Sequence, residues 1–207
     1  MRIVLLGAPG SGKGTQGRVL AERLGVPYIG SGDLLRARAA AAEPGSELAA
    51  VLDRGDLVGD DDALAAVRDA LAAAEAAGGY VLDGFPRTAG QARDLEAVAS
   101  PDAVVYLALP DAVARRRLAG RAAAGRSDDV AATVERRLDQ FHRQIEPLLD
   151  FYGRRGVLIT IDADQAPDAV TAAIVEALDA AGRRPSQPPS SPSRRGPGPA
   201  RDRAPGG

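Results

Sequence analysis

Five short apolar runs punctuate the chain: "RIVLL" at 2–6, "VPYI" at 26–29, "YVLDGF" at 80–85, "AVVYLAL" at 103–109 and "VLITI" at 157–161. Most are continuous rather than alternating, as strands of a parallel sheet are when both faces are covered. Between the runs the apolar period changes. Val130, Val134, Leu138, Phe141, Ile145 and Leu148 recur every three or four residues, which predicts a long amphipathic helix over 129–152, with Pro147 as a candidate kink. Val170, Ile174 and Leu178 mark a last helix, closed by Gly182. This alternation predicts an α/β, three-layer sandwich around a five-stranded parallel sheet. No internal repeat is visible.

The spacing is uneven. About fifty residues separate the second run from the third, and residues 31–60 are expected to form a small helical insert there. A second, shorter excursion is expected at about 121–131.

Composition narrows the chemistry. The 207 residues suit one domain, and with 3% aromatics its core must be built from Ala, Val, Leu and Ile. Zero cysteines exclude disulfides and cysteine-ligated zinc, and a single histidine, His142, leaves no histidine metal cluster and is read as an exposed helix residue without a role. No apolar run approaches the roughly 20 residues that span a bilayer, and "IVLL" is too short for a signal-peptide core. The expectation is a cytoplasmic monomer with no membrane and no nucleic-acid partner. The net charge of −2 conceals two regions: residues 183–207 hold six Arg and one Asp, so residues 1–182 carry −7. The tail is rich in Pro, Gly and Ser and is expected to be a disordered, solvated extension of a domain spanning 1–182.

Of 26 cationic residues only one is lysine, Lys13, and it lies in "RIVLLGAPGSGKGTQ". A strand, a glycine-rich loop and a helix in that order are the context of a phosphate-binding loop. Gly7, Gly10, Gly12 and Gly14 let the backbone turn its N–H groups toward phosphate oxygens. The helix that follows adds its positive dipole end. A compact ammonium fits inside such a loop where arginine's planar fork does not. The hydroxyl of Thr15 comes one residue later than in the common G-x-x-x-x-G-K-[ST] pattern, because Gly14 follows Lys13.

"GAPGSGKGTQ" resembles the phosphate loop of adenylate kinases and their nucleoside-monophosphate kinase relatives. So do "SGDLLR" (31–36), "GDLVGDD" (55–61), "DGFPRT" (83–88) with Gln91, and "GRSDD" (125–129), in the same order. The resemblance covers about 1–181. It implies a fold of the P-loop NTPase type, with residues 31–60 as the insert that binds the monophosphate and 121–131 as a short lid. It implies reversible phosphoryl transfer from Mg-ATP to AMP giving two ADP, so ATP, AMP, ADP and Mg²⁺ are the expected partners, without zinc.

By the same resemblance, Gly10, Ser11, Gly12, Lys13, Gly14, Thr15, Arg117, Arg121 and Ala163 bind ATP. Ser31, Arg36, Val58, Gly84, Arg87, Gln91, Arg126 and Arg137 bind AMP. Lys13, Arg87, Arg121, Arg126 and Arg137 are the catalytic set, and Asp83 organises Mg²⁺ through its waters. The residue chemistry agrees. Arg117 and Arg121 are four apart and share a helix face, Gln91 offers one donor and one acceptor to an adenine edge, and Asp33 reads as an N-cap. Arg115, Arg116 and Arg136 read as solvated surface charges. Asp128 and Asp129 read as caps of the long helix and, by resemblance, as a latch for the lid.

The chain also departs from the family. The insert is about one helical turn shorter after "GSEL", Gly59 stands where proline or a hydroxyl residue is frequent, and Ala163 where glycine is usual. Three other readings stay open: a UMP/CMP kinase, a P-loop ATPase or nucleotide-binding switch module, and an inactive nucleotide-binding relative.

Overall fold

Alternate side chains of the first strand, β1 (Arg2–Gly7), divide the core between two faces of one sheet. Val4 and Leu6 face one way, packed with Leu82, Val104 and helical residues from Val67 to Leu95 and Ile145 to Tyr152. Ile3 and Leu5 face the other, packed with Leu20, Val105, Val170 and Ile174. The computed structural model describes residues 1–43, 45–123 and 131–182. In chain order β1 is followed by α1 (Lys13–Leu24), β2 (Tyr28–Gly30), α2 (Ser31–Ala41), α3 (Glu47–Arg54), α4 (Asp60–Ala76) and β3 (Tyr80–Asp83). Then come α5 (Ala89–Ala99), β4 (Ala103–Ala108), α6 (Asp111–Ala123), α7 (Ala131–Arg154), β5 (Leu158–Asp162) and α8 (Pro167–Ala180). The sheet order is β2-β3-β1-β4-β5, and all pairs are parallel. No helix among the described residues is long and apolar enough to cross a membrane.

Boundaries moved for local reasons. The third strand stops at Asp83, not at residue 85, because Gly84 turns the chain at φ +83° and Pro86 has no N–H to donate. The second strand occupies 28–30 rather than 26–29, although the Pro27 carbonyl still accepts from Val81 N–H. The long helix is described from Ala131 to Arg154, two residues beyond the expected end at 152, with Pro147 inside it. Gly182 closes the last helix in the left-handed region at φ +68°.

The register brings the carboxyl ends of the strands together: Gly30 and Leu5 lie beside Asp83, Gly7 beside Leu107, and Ala108 beside Asp162. Open parallel sheets bind ligands at this edge, where the chain's strand order reverses. A small core of Ala8, Ala114, Leu118, Val134 and Leu138 fastens α6 and α7 beside the loop after β1. It thereby presents Arg117, Arg121 and Arg137, the sequence neighbours of those apolar anchors, to the same edge.

Candidate active site

Between β1 and α1 the chain turns through Gly10 and Gly12, at φ +83° and +94°, conformations that a side chain would strain. The turn is closed by Ser11 N–H donating to Ala8 O (3.1 Å) and Gln16 N–H donating to Gly12 O (2.9 Å). No side chain caps α1, so its first N–H groups remain directed at the loop. Lys13 folds back, and its Nζ donates to Gly7 O (2.8 Å) and Ala8 O (3.0 Å). The Ser11 hydroxyl is buried without a partner.

The loop forms one wall of a cavity of about 930 Å³, the upper end of small-molecule sites. Gly10 through Thr15, Asp83, Gly84, Arg87 and Ala163 line it. Arg36 reaches it from α2, Arg117 and Arg121 from α6, and Arg137 from α7. Several of these side chains are already oriented. Arg36 donates to Asp33 Oδ1 (2.6 Å), Arg87 Nε to Gly84 O (2.8 Å) and Arg117 to Ala163 O (3.0 Å). Ala163 is tethered on its other side as well, its N–H donating to Ala108 O (2.8 Å). Arg126, Asp128 and Asp129 lie outside the described residues, as does the tail from 183.

Electrostatically the cavity is a crowd of cations around two carboxylates, Asp33 beside Arg36 and Asp83 nearer Lys13. Desolvation lowers the Lys13 pKa to about 8; Asp83 opposes the shift, while Arg87, Arg137 and Arg121 add to it. Desolvation and then Arg137 also depress Arg87. Both groups line the open cavity and Arg87 is exposed, so solvent screening reduces this repulsion. A polyanion in the cavity removes the strain, so binding must raise the Lys13 pKa. At pH 8.5, ATP binding is therefore expected to take up roughly three quarters of a proton per chain. Because the complex holds more protons, affinity must fall as pH rises from about 8. Calorimetry in buffers of different ionisation enthalpy checks this, and a binding heat independent of buffer contradicts it.

Three residues assigned to AMP do not line the cavity: Ser31, Val58 and Gln91. Gln91 is buried and its amide is engaged. Its Nε2 donates to Asp60 Oδ1 (2.9 Å), and its Oε1 accepts from Arg87 N–H (2.7 Å). In this conformation it braces the backbone that carries Arg87 instead of presenting its edge to a base. The Ser31 hydroxyl is buried against Gly84 without a partner.

Asp33 is not a cap. Because β2 runs directly into α2, Gly30 takes the cap position and Asp33 falls in the first turn, where it pairs with Arg36 and, at 3.6 Å, with Arg18. His142, assigned no role, shares both oxygens of Asp111 (2.9 and 3.0 Å) and so ties α7 to the start of α6. Arg115 and Arg136 are not merely solvated. Arg115 makes a two-pronged pair with Glu135 (2.7 and 2.8 Å), and Arg136 donates to Arg54 O (3.2 Å) beside Asp56 (3.6 Å). Tyr28, which also lines the cavity, was missed altogether. Its hydroxyl donates to Asp83 Oδ2 (2.9 Å), and burial together with Asp83 raises its pKa. No motif in the sequence marked it.

A parallel α/β sheet, a phosphate loop at its carboxyl edge and a ring of arginines across the cavity define a P-loop protein built to hold nucleoside phosphates. A family model described as adenylate kinase matches residues 5–157. The adenylate kinase of Stenotrophomonas maltophilia (strain R551-3) is 42% identical over 185 residues, covering 86% of this chain and 99% of that protein. That of Thermobifida fusca is also 42% identical over 185 residues, covering 86% and 98%. That of Streptomyces griseus is 38% identical over 215 residues, covering 87% and 98%. The chain belongs to the adenylate kinase family.

Proposed function

We infer that this chain catalyses reversible phosphoryl transfer from ATP to AMP, giving two ADP, as a cytoplasmic monomer whose site is complete within one chain. The observation that carries this reading is the second set of cations. The loop and Lys13 account for one phosphate group. Arg36 and Arg87 stand across the cavity on different elements, positioned for the phosphate of a second nucleotide. An ATPase or switch module has no need of them.

Phosphoryl transfer between two nucleotides calls for alignment and charge neutralisation rather than covalent help from the protein. Here the loop amides and Lys13 fix the donor's outer phosphates. Arg87 and Arg36 hold the acceptor so that a phosphate oxygen attacks the γ-phosphorus in line. Arg117, Arg121 and Arg137 neutralise charge on the equatorial oxygens as it spreads. No general base is needed, because the attacking oxygen is already anionic. Residues 121–131, bearing Arg126, are read as a short lid and 31–60 as the monophosphate-binding insert.

Asp83 fits Mg²⁺. No group of three or more acidic or histidine side chains suited to a metal occurs among the described residues. A lone carboxylate at the strand end suits a cation that keeps its waters and takes phosphate oxygens directly. When bound, that ion supplies charge neutralisation at the outer phosphates; Asp83 orients its water shell.

A coupled assay of diphosphate formation across AMP, CMP, UMP and GMP tests the substrate. AMP is expected to be the fastest by at least about tenfold. Faster turnover of CMP or UMP would replace this reading with the pyrimidine one.

A further inference from the structure

We propose that Tyr28, which belongs to none of the phosphate-handling motifs, is a positioning residue that holds Asp83 in place for the metal ion accompanying ATP. The inference rests on the phosphoryl-transfer reading and deepens it. Tyr28 opens β2, the edge strand next to β3, and its hydroxyl donates to Asp83 Oδ2 at 2.9 Å. That bond leaves the other carboxylate oxygen to accept from metal-bound water. The donor is uncharged, so it orients the carboxylate without neutralising it, as an arginine or lysine there would.

The surroundings are shaped to the ring. A Cβ at Gly17 would lie 2.5 Å from Tyr28 Cε2 and 3.1 Å from Leu5 Cδ1. Gly17 is buried in α1, where glycine is unfavourable relative to alanine; the ring explains its presence. A Cβ at Gly30 would stand 3.3 Å from Tyr28 Cε1. At Gly14, inside the phosphate loop, it would stand 3.6 Å from the hydroxyl and 3.7 Å from Asp83 Oδ2. Hydroxyl, carboxylate and loop therefore converge at one point. The Arg18 guanidinium covers the ring at 4.7 Å from its centroid and is itself held by Asp33. A ring this constrained fixes its hydroxyl, and a fixed hydroxyl fixes the carboxylate. Partners that orient a metal's ligands commonly set its affinity.

The test is Tyr28→Phe in the full chain, which keeps the ring and removes the bond. Mn²⁺ is titrated by electron paramagnetic resonance into protein saturated with a non-hydrolysable ATP analogue, and Mg²⁺ half-saturation is measured in turnover. Both are expected to weaken about three- to tenfold, with melting temperature and metal-free nucleotide affinity, measured in chelator, unchanged. Gly17→Ala, which displaces the ring but keeps its hydroxyl, is expected to weaken Mn²⁺ binding in the same sense and serves if the first variant folds poorly. Wild-type Mn²⁺ affinity in Tyr28→Phe overturns the proposal, as does an equal loss of metal-free nucleotide binding, which marks a purely structural role. If the unaltered protein shows no metal-dependent nucleotide binding, the phosphoryl-transfer reading falls instead.

Discussion

Replacing Lys13 with methionine is expected to lower turnover by about 10³- to 10⁴-fold while the fold survives. The size follows from the lysine's position. Its ammonium lies in the glycine-rich loop itself and is placed to follow charge on the donor's transferring phosphate. The fold survives because, of the ammonium's two partners, the Gly7 carbonyl lines the cavity, where water can replace it, and the Ala8 carbonyl still accepts from Ser11 N–H. Methionine keeps an unbranched side chain of similar length without the charge. Steady-state kinetics beside a thermal melt checks both halves; turnover within tenfold of the unaltered enzyme would remove Lys13 from the chemistry.

Arg87→Ala is expected to cut kcat/KM for AMP by about 10²- to 10³-fold and to leave the melting temperature unchanged or raised. The two signs come from one arrangement. In the free protein the Arg87 side chain is exposed, yet desolvation and the neighbouring Arg137 lower its pKa, and Arg36 adds to the same repulsion; only Asp83 offsets it. Removing one member of such a cluster relieves the others, Lys13 included. The same crowding makes the guanidinium useful once a phosphate arrives, a trade of stability for activity often met at functional sites. The Gly84 carbonyl that Arg87 contacts lines the cavity and gains water in exchange. Kinetics with varied AMP and a melt of the same variant decide it, and a normal KM with a lowered melting temperature would assign Arg87 to structure alone.

The local patterns along the chain carried the sheet and the loop because both are written in neighbouring residues. Apolar runs between helical periods placed all five strands, and strand, glycines and lysine within fifteen residues placed the glycine-rich loop between β1 and α1. What escaped is non-local. Tyr28 meets Asp83 across 55 positions, and Gln91 meets Asp60 across 31. Arg136 reaches Arg54 across 82, where Gly55 lies so close to Thr133 and Arg137 that a side chain there would collide with them. No period or motif encodes such pairs. Gln91 is the instructive case: its donor and acceptor suited an adenine edge, yet the fold directs them to Asp60 and to the backbone of Arg87. Gly17 is another, a helix-interior glycine with no local reason, explained only by a ring from β2. Asp33 looked like a cap because its residue type favours that position. The direct passage of β2 into α2 moved the cap to Gly30.

The central claim is that two nucleotides meet head to head, their phosphates held in register by the loop on one side and by Arg36 and Arg87 on the other. Calorimetric titration with a mimic that joins two adenosines through five phosphates tests it most directly. A single molecule per chain, bound at least about 100-fold more tightly than ATP because both halves are engaged at once, is the predicted result. Binding no tighter than ATP, or two molecules per chain, would contradict it.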